Sequence, residues 1–117
     1  MALTIDTKVI SSWYLPDSQK DEDKPAKFKL RPLVGETHMA VFAETDQDRN
    51  GELKLTGIGL KAAIHEGVVG WENISDANGK PLKFTKFNLR HLPMEILSDL
   101  AAEIVNRSSA TEEEEKN

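Results

Sequence analysis

The residues best suited by type and spacing to chemistry lie in "ETDQDRNGELKLTG", residues 44 to 57. Asp46, Asp48 and Asn50 occupy the first, third and fifth positions of an EF-hand calcium loop. Gly51 falls where the sharp turn is required, and Leu53 fits the apolar eighth position. The pattern fails at position twelve, where a bidentate Glu belongs and Gly57 stands, with no nearby acid to replace it. Calcium takes about six to eight oxygens, so half a loop makes a poor site. The stretch is read as a polar turn between helices, in which Asp and Asn bond to nearby backbone and Gly51 supplies a positive φ. A weak, degenerate calcium site is the alternative. No metal ligand is assigned.

Other candidate groups carry less. His38, His65 and His91 fall in separate predicted elements, and none has a His or Cys partner at ligand spacing. Ser108 and Ser109 sit at a predicted helix end without a recognisable base, which gives a serine nucleophile no support. The sequence has no G-x-S-x-G elbow, phosphate loop, H-E-x-x-H or dinucleotide fingerprint. It contains no cysteine, which excludes disulfides, thiolate metal sites and a cysteine nucleophile. The chain does not read as an enzyme, and no catalytic residue or cofactor is assigned. Large aromatics are the better candidates for function, because a few such residues often dominate protein interfaces. Trp13, Tyr14, Phe28 and Leu30 are expected to form a protein-interface edge, for self-association or for a partner, while Trp71 is expected in the core.

The elements that must position these residues follow from periodicity. Residues 8 to 15 and 26 to 33 both look extended, and in the second Phe28 and Leu30 alternate with Lys27, Lys29 and Arg31. They predict an N-terminal β-hairpin joined by a mobile acidic loop over about residues 16–25. A first helix is expected from Gly35 to Thr45 with Met39, Phe42 and Ala43 on its apolar face. A second opens at Thr56 or Gly57, buries Ile58, Leu60, Ala63 and Ile64, and stops at Gly67. Asn78-Gly79 predicts a tight turn in residues 68 to 84, bringing Ile74 near Leu82 or Phe84. "TKFNLRHLP" has room for one helical turn. Pro93 then starts the clearest helix, expected to run to about Asn106 with Ile96, Leu97, Leu100, Ala101 and Ile104 on one face.

The fold class is therefore α+β and mainly α-helical, with an N-terminal hairpin, about three main helices and a short hairpin or loop near Asn78-Gly79. At 117 residues the chain is expected to form a single globular domain over 1–107, followed by a disordered acidic tail over 108–117. The formal charge of −5 does not favour nucleic-acid binding through a basic surface. The start of the chain lacks the basic and apolar parts of a signal peptide, and no apolar run approaches a membrane span. A soluble, cytoplasmic protein is expected, with no membrane partner.

Together, "FKLRPL", "GLKAAIHEGVVGWENISDANGKPLKF", "NLRHLPMEILSDLAAEIVNRSS" and the terminal "EEEEKN" resemble the tail assembly chaperones of long-tailed, lambda-like (siphovirus-type) bacteriophages and prophages. The resemblance runs from about Ala26 to the last residue. Its most specific part is the order of "GVVGWEN", an Asn-Gly turn, a Leu-Pro helix start and "EIVNRSS" before an acidic end. It implies a non-virion protein of viral morphogenesis that acts in the host bacterial cytoplasm. Such a protein binds and solubilises the tape measure protein, self-associates, and supports polymerisation of tail tube protein. The resemblance also implies a short product of programmed ribosomal frameshifting, with tube protein engaged through the extended product. Glu, Lys and Asn codons are compatible with an adenine-rich slippery run behind "EEEEKN", and a gene lacking a slippery heptamer or an overlapping downstream frame would remove that expectation. The alternative is a virion structural protein of the tail tube or connector, ranked second because the chain has few sheet-forming segments.

Overall fold

The computed structural model describes residue 3 and residues 10–43, 45–47, 53–55 and 57–116; for 42, 43, 45–47, 53–55 and 109–116 it describes the backbone alone. The fold is α+β and mainly helical. Strands β1 (Ser12–Tyr14) and β2 (Lys27–Leu30) form the expected N-terminal antiparallel hairpin. Helix α1 (Gly35–Ala43) is followed by strands β3 (Thr45–Gln47) and β4 (Leu53–Leu55), then helix α2 (Gly57–Gly67) and strand β5 (Val68–Glu72). A four-residue helix α3 (Lys86–Leu89) precedes the long α4 (Met94–Lys116). No helix among the described residues is long and apolar enough to cross a membrane.

β5 joins the hairpin to make a three-stranded sheet in the order β1-β2-β5, antiparallel throughout. Side chains alternate across a strand, so the register separates two faces. Tyr14, Phe28 and Trp71 are aligned on the inner one, and Trp13, Lys29 and Gly70 on the outer one. The sequence reading placed "VVGWE" only as one flank of the Asn78-Gly79 turn. β5 pairs with β2, some forty residues earlier, and local periodicity carries no signal for so distant a partner. The turn itself forms as expected. Gly79 adopts a φ of 80°, the Asp76 carboxylate accepts from the backbone N–H groups of Asn78 and Lys80, and Leu82 N–H donates to Ile74 O at 2.7 Å.

The hydrophobic core runs from Phe28 and Leu30 of the sheet through Val41 of α1, Ala63 and Ile64 of α2, and Val68 and Leu89, to Leu100, Ala101 and Ile104 of α4. On α4 the buried face is the one that helical spacing predicts. On α1 Met39, expected inside, is 71% exposed, while His38 and Val41 are buried. α1 packs on α2, and the side chains of Phe42 and Ala43, also expected on the apolar face, lie outside the described residues. Ile58, expected inside α2, also faces out, although Gly59 beside it is buried.

Three boundaries need correction. The polar turn expected between helices, with its calcium-loop pattern, is flanked instead by the paired strands β3 and β4, in register Thr45↔Leu55, Asp46↔Lys54 and Gln47↔Leu53. The two-residue alternation of Leu53 and Leu55 suits a strand. Asp48, Asn50 and Gly51 lie outside the described residues. Next, α4 does not stop near Asn106: the backbone is helical to Lys116, through the stretch expected to be a disordered tail. Alanine, Glu and Lys are good helix formers, which favours that continuation. Finally, Ser108, assigned to the tail, belongs to the packed body. It is buried, its hydroxyl donates to Ile104 O and accepts from Leu33 N–H, both at 2.8 Å. The hydroxyl thus joins α4 to the segment that follows β2.

Candidate protein-binding surfaces

The four aromatic and aliphatic residues proposed as one edge do not share a surface. Phe28 (1% exposed) and Leu30 are core residues, placed inward by the alternation of β2. An edge made by all four is therefore corrected to a surface to which Trp13 alone contributes substantially. Trp13 is 46% exposed on the outer face of β1, an edge strand, with the Lys29 ammonium 5.9 Å from its ring centre. Tyr14 is half-buried and turned inward. Its hydroxyl donates to the Asp99 carboxylate, and the Arg107 guanidinium lies 5.8 Å from its ring while donating to Ser12 Oγ and Glu103. Burial, then the bond to Asp99 and the negative charges of Asp99, Glu103 and Asp17, push the phenol well above its ordinary range. Tyr14 fastens β1 to α4. Trp71 is partly buried as expected for a core aromatic, edge-on to Phe28 and Phe84 with its indole N–H on Leu82 O.

A second surface lies among the helices. Leu60 and Ile64, one turn apart on α2, face Leu89 and the start of α4, where Met94 and Leu97 stand. Between them runs an open apolar groove of about 240 Å³ whose rim carries Lys61, His65 and Arg90. Met94 is 69% exposed at its lip. Beyond the groove, Phe87 is also exposed, with the Arg90 guanidinium 5.0 Å from its ring centre and His91 edge-on to it. The groove owes its position to α3, whose first turn is capped by the Thr85 hydroxyl accepting from Asn88 N–H, and whose Leu89 is fully buried.

The helices that make the groove are held by charge at the end of α2. Lys86 of α3 donates to His65 O and Val68 O, while Arg31, just after β2, donates to Glu66 O and to the Glu66 carboxylate. At His65 O and Glu66 O these cations satisfy carbonyls of the last turn of α2, which the helix end leaves without intrahelical partners at the negative end of its dipole. Burial, and secondarily the charge of Arg31, lower the Lys86 pKa against the opposing pull of Glu66.

The chain matches no family model, no curated protein and no solved structure.

The three histidines occupy different places: His38 is buried on α1, His65 is on the groove rim and His91 is exposed after α3. Among the described residues no group of three His, Cys, Asp or Glu side chains is arranged to hold a metal ion. Sequence reasoning missed the groove. Leu60, Ile64 and Leu97 were legible as apolar helix positions, but their meeting with Met94, Lys61 and Arg90 across a gap depends on how α2 and α4 pack.

Proposed function

We propose that this chain is a tail assembly chaperone of a long-tailed bacteriophage or prophage, which holds the tape measure protein soluble until tail tube subunits assemble around it. The observation that carries the reading is the open apolar groove between α2 and α3–α4, a surface suited to an apolar stripe on another helix. The sequence resemblance from Ala26 onward supplies the client. Many copies, each bound weakly along one long client, give high avidity while leaving each copy displaceable. Self-association is part of the same proposal, with the β1 edge and Trp13 as its candidate surface, and so is recruitment of tube protein through an extended frameshift product. The place of action is the host cytoplasm, outside the finished particle.

The test is co-expression with the tape measure protein of the same phage or prophage, followed by affinity capture and light scattering. The expected result is a soluble tape measure carrying many copies of the chain, and no chain in purified virions. A tape measure that stays insoluble and unbound, with both the short and the extended product supplied, overturns the proposal. Recovery of the chain from finished particles favours the tail tube or connector alternative.

A further inference from the structure

The charged side chains lining the α2/α3–α4 groove are both cationic, Lys61 and Arg90, although the chain as a whole carries a formal charge of −5. Its floor is apolar, formed by Leu60, Ile64, Leu89 and Leu97. We infer that the groove takes one amphipathic helix of the client, with apolar side chains one turn apart entering the floor and flanking Glu or Asp residues pairing with Lys61 and Arg90. The identity of the client rests on the chaperone reading. The chemistry of the segment rests on the groove.

Three features favour such an occupant. Leu60 and Ile64 are four apart on one wall, and Met94 and Leu97 are three apart on the other. These rows are ridges between which the apolar ridge of a third helix can lie. The volume of about 240 Å³ is below the usual range for small-molecule pockets, about 300 to 1,000 Å³, and suits a few side-chain anchors. The rim cations are also available. Among the described residues neither Lys61 nor Arg90 has an ion-pair partner. The Arg90 guanidinium lies 5.0 Å from the Phe87 ring centre, a contact with the ring face that uses none of its N–H groups as hydrogen-bond donors to oxygen.

The acidic end of α4 is a weaker occupant. In its own molecule it lies at the far end of a 23-residue helix that begins at the groove, about 30 Å away. From a second copy, "ATEEEEK" would bring charge but no apolar side chain larger than alanine for the floor.

The experiment measures binding of labelled synthetic peptides to the full chain by fluorescence anisotropy at low and high salt. One helical peptide carries a Leu/Ile stripe flanked by Glu, a second the same stripe flanked by Lys, a third the Glu flanks with Ser in the stripe, and a fourth is residues 108–117. The Glu-flanked apolar peptide is expected to bind tightest and to weaken with salt. K61E/R90E, a change at two exposed positions whose fold circular dichroism checks, is expected to weaken it roughly tenfold and to favour the Lys-flanked peptide. Binding that ignores flank charge, or that K61E/R90E leaves unchanged, overturns the inference. Absence of binding by every peptide overturns it as well, and tightest binding by residues 108–117 assigns the groove to a second copy. Co-expression separates the two levels. If wild type and K61E/R90E solubilise the tape measure protein equally, the groove assignment falls and the chaperone reading stands. If the peptide pattern is as expected but wild type leaves the tape measure insoluble, the chaperone reading falls and the groove assignment stands.

Discussion

The Tyr14 hydroxyl donates a 2.8 Å hydrogen bond to the Asp99 carboxylate, joining the edge strand β1 to α4 across 85 positions of the sequence. Tyr14→Phe removes the donor and leaves the partly buried carboxylate with one bond fewer. Urea denaturation is expected to show a loss of about 1–2 kcal/mol. Unchanged stability would mean that the bond contributes nothing net against solvent.

The same contact sets a pH dependence at the alkaline end. Folding raises the Tyr14 pKa, so the folded protein keeps its phenolic proton where the unfolded chain, with an ordinary value of about 10, loses it. Stability from this group is complete below about pH 10 and falls as pH rises from there towards the folded value. Tyr14 is the chain's one tyrosine, so the tyrosinate absorbance reports it alone. The native protein is expected to ionise later than its urea-unfolded form, and the alkaline loss of stability is expected to be smaller in Tyr14→Phe. Coincident titrations of folded and unfolded protein would contradict this.

Gly67 ends α2 as the sequence predicts, though not as a left-handed cap: among the described glycines the positive φ belongs to Gly79. A Cβ at position 67 would lie 2.6 Å from both Cδ1 and Cγ2 of Ile104. Glycine is required there by the approach of α4. Gly67→Ala is expected to cost about 1–3 kcal/mol by overpacking. In an Ile104→Ala background it should cost less, and a double-mutant cycle measures the difference. Additive costs would mean that the two positions do not share the space.

Lys86 ties α3 to the last turn of α2 through His65 O and to the start of β5 through Val68 O. Lys86→Met keeps most of the aliphatic stem but removes the donor and the charge, and thermal unfolding is expected to show a loss of about 1 kcal/mol. Lys86→Arg should recover part of it. Equal stability of all three proteins would show that water replaces the ammonium without loss.

Trp13 and Phe28 belong to adjacent strands but lie on opposite faces of the sheet. Phe28→Ala is expected to cost about 3–5 kcal/mol, as for a fully buried aromatic. Trp13→Ala should cost clearly less, because nearly half of the residue is already in water. If Trp13 supports self-association, light scattering of Trp13→Ala will show smaller particles at near-native stability; unchanged particle size would exclude it from that interface.

The sequence by itself determined what depends on neighbours in the chain. α4 was legible because Ile96, Leu97, Leu100, Ala101 and Ile104 repeat at helical spacing after Pro93. β2 was legible because Phe28 and Leu30 alternate with lysines, and the Asn78-Gly79 turn because Gly79 accommodates a positive φ. Tertiary structure decided the rest. α1 buries His38 and Val41 and leaves Met39 in water, a choice made by packing partners distant in sequence, and β5 becomes a strand because β2 offers it a partner. Trp13 and Phe28 looked alike as interface aromatics until the sheet placed one outside and one in the core. The groove is of the same kind: Leu60, Ile64 and Leu97 were readable as apolar positions, but a gap with a cationic rim exists only once α2, α3 and α4 have packed, since local periodicity does not encode the space between elements.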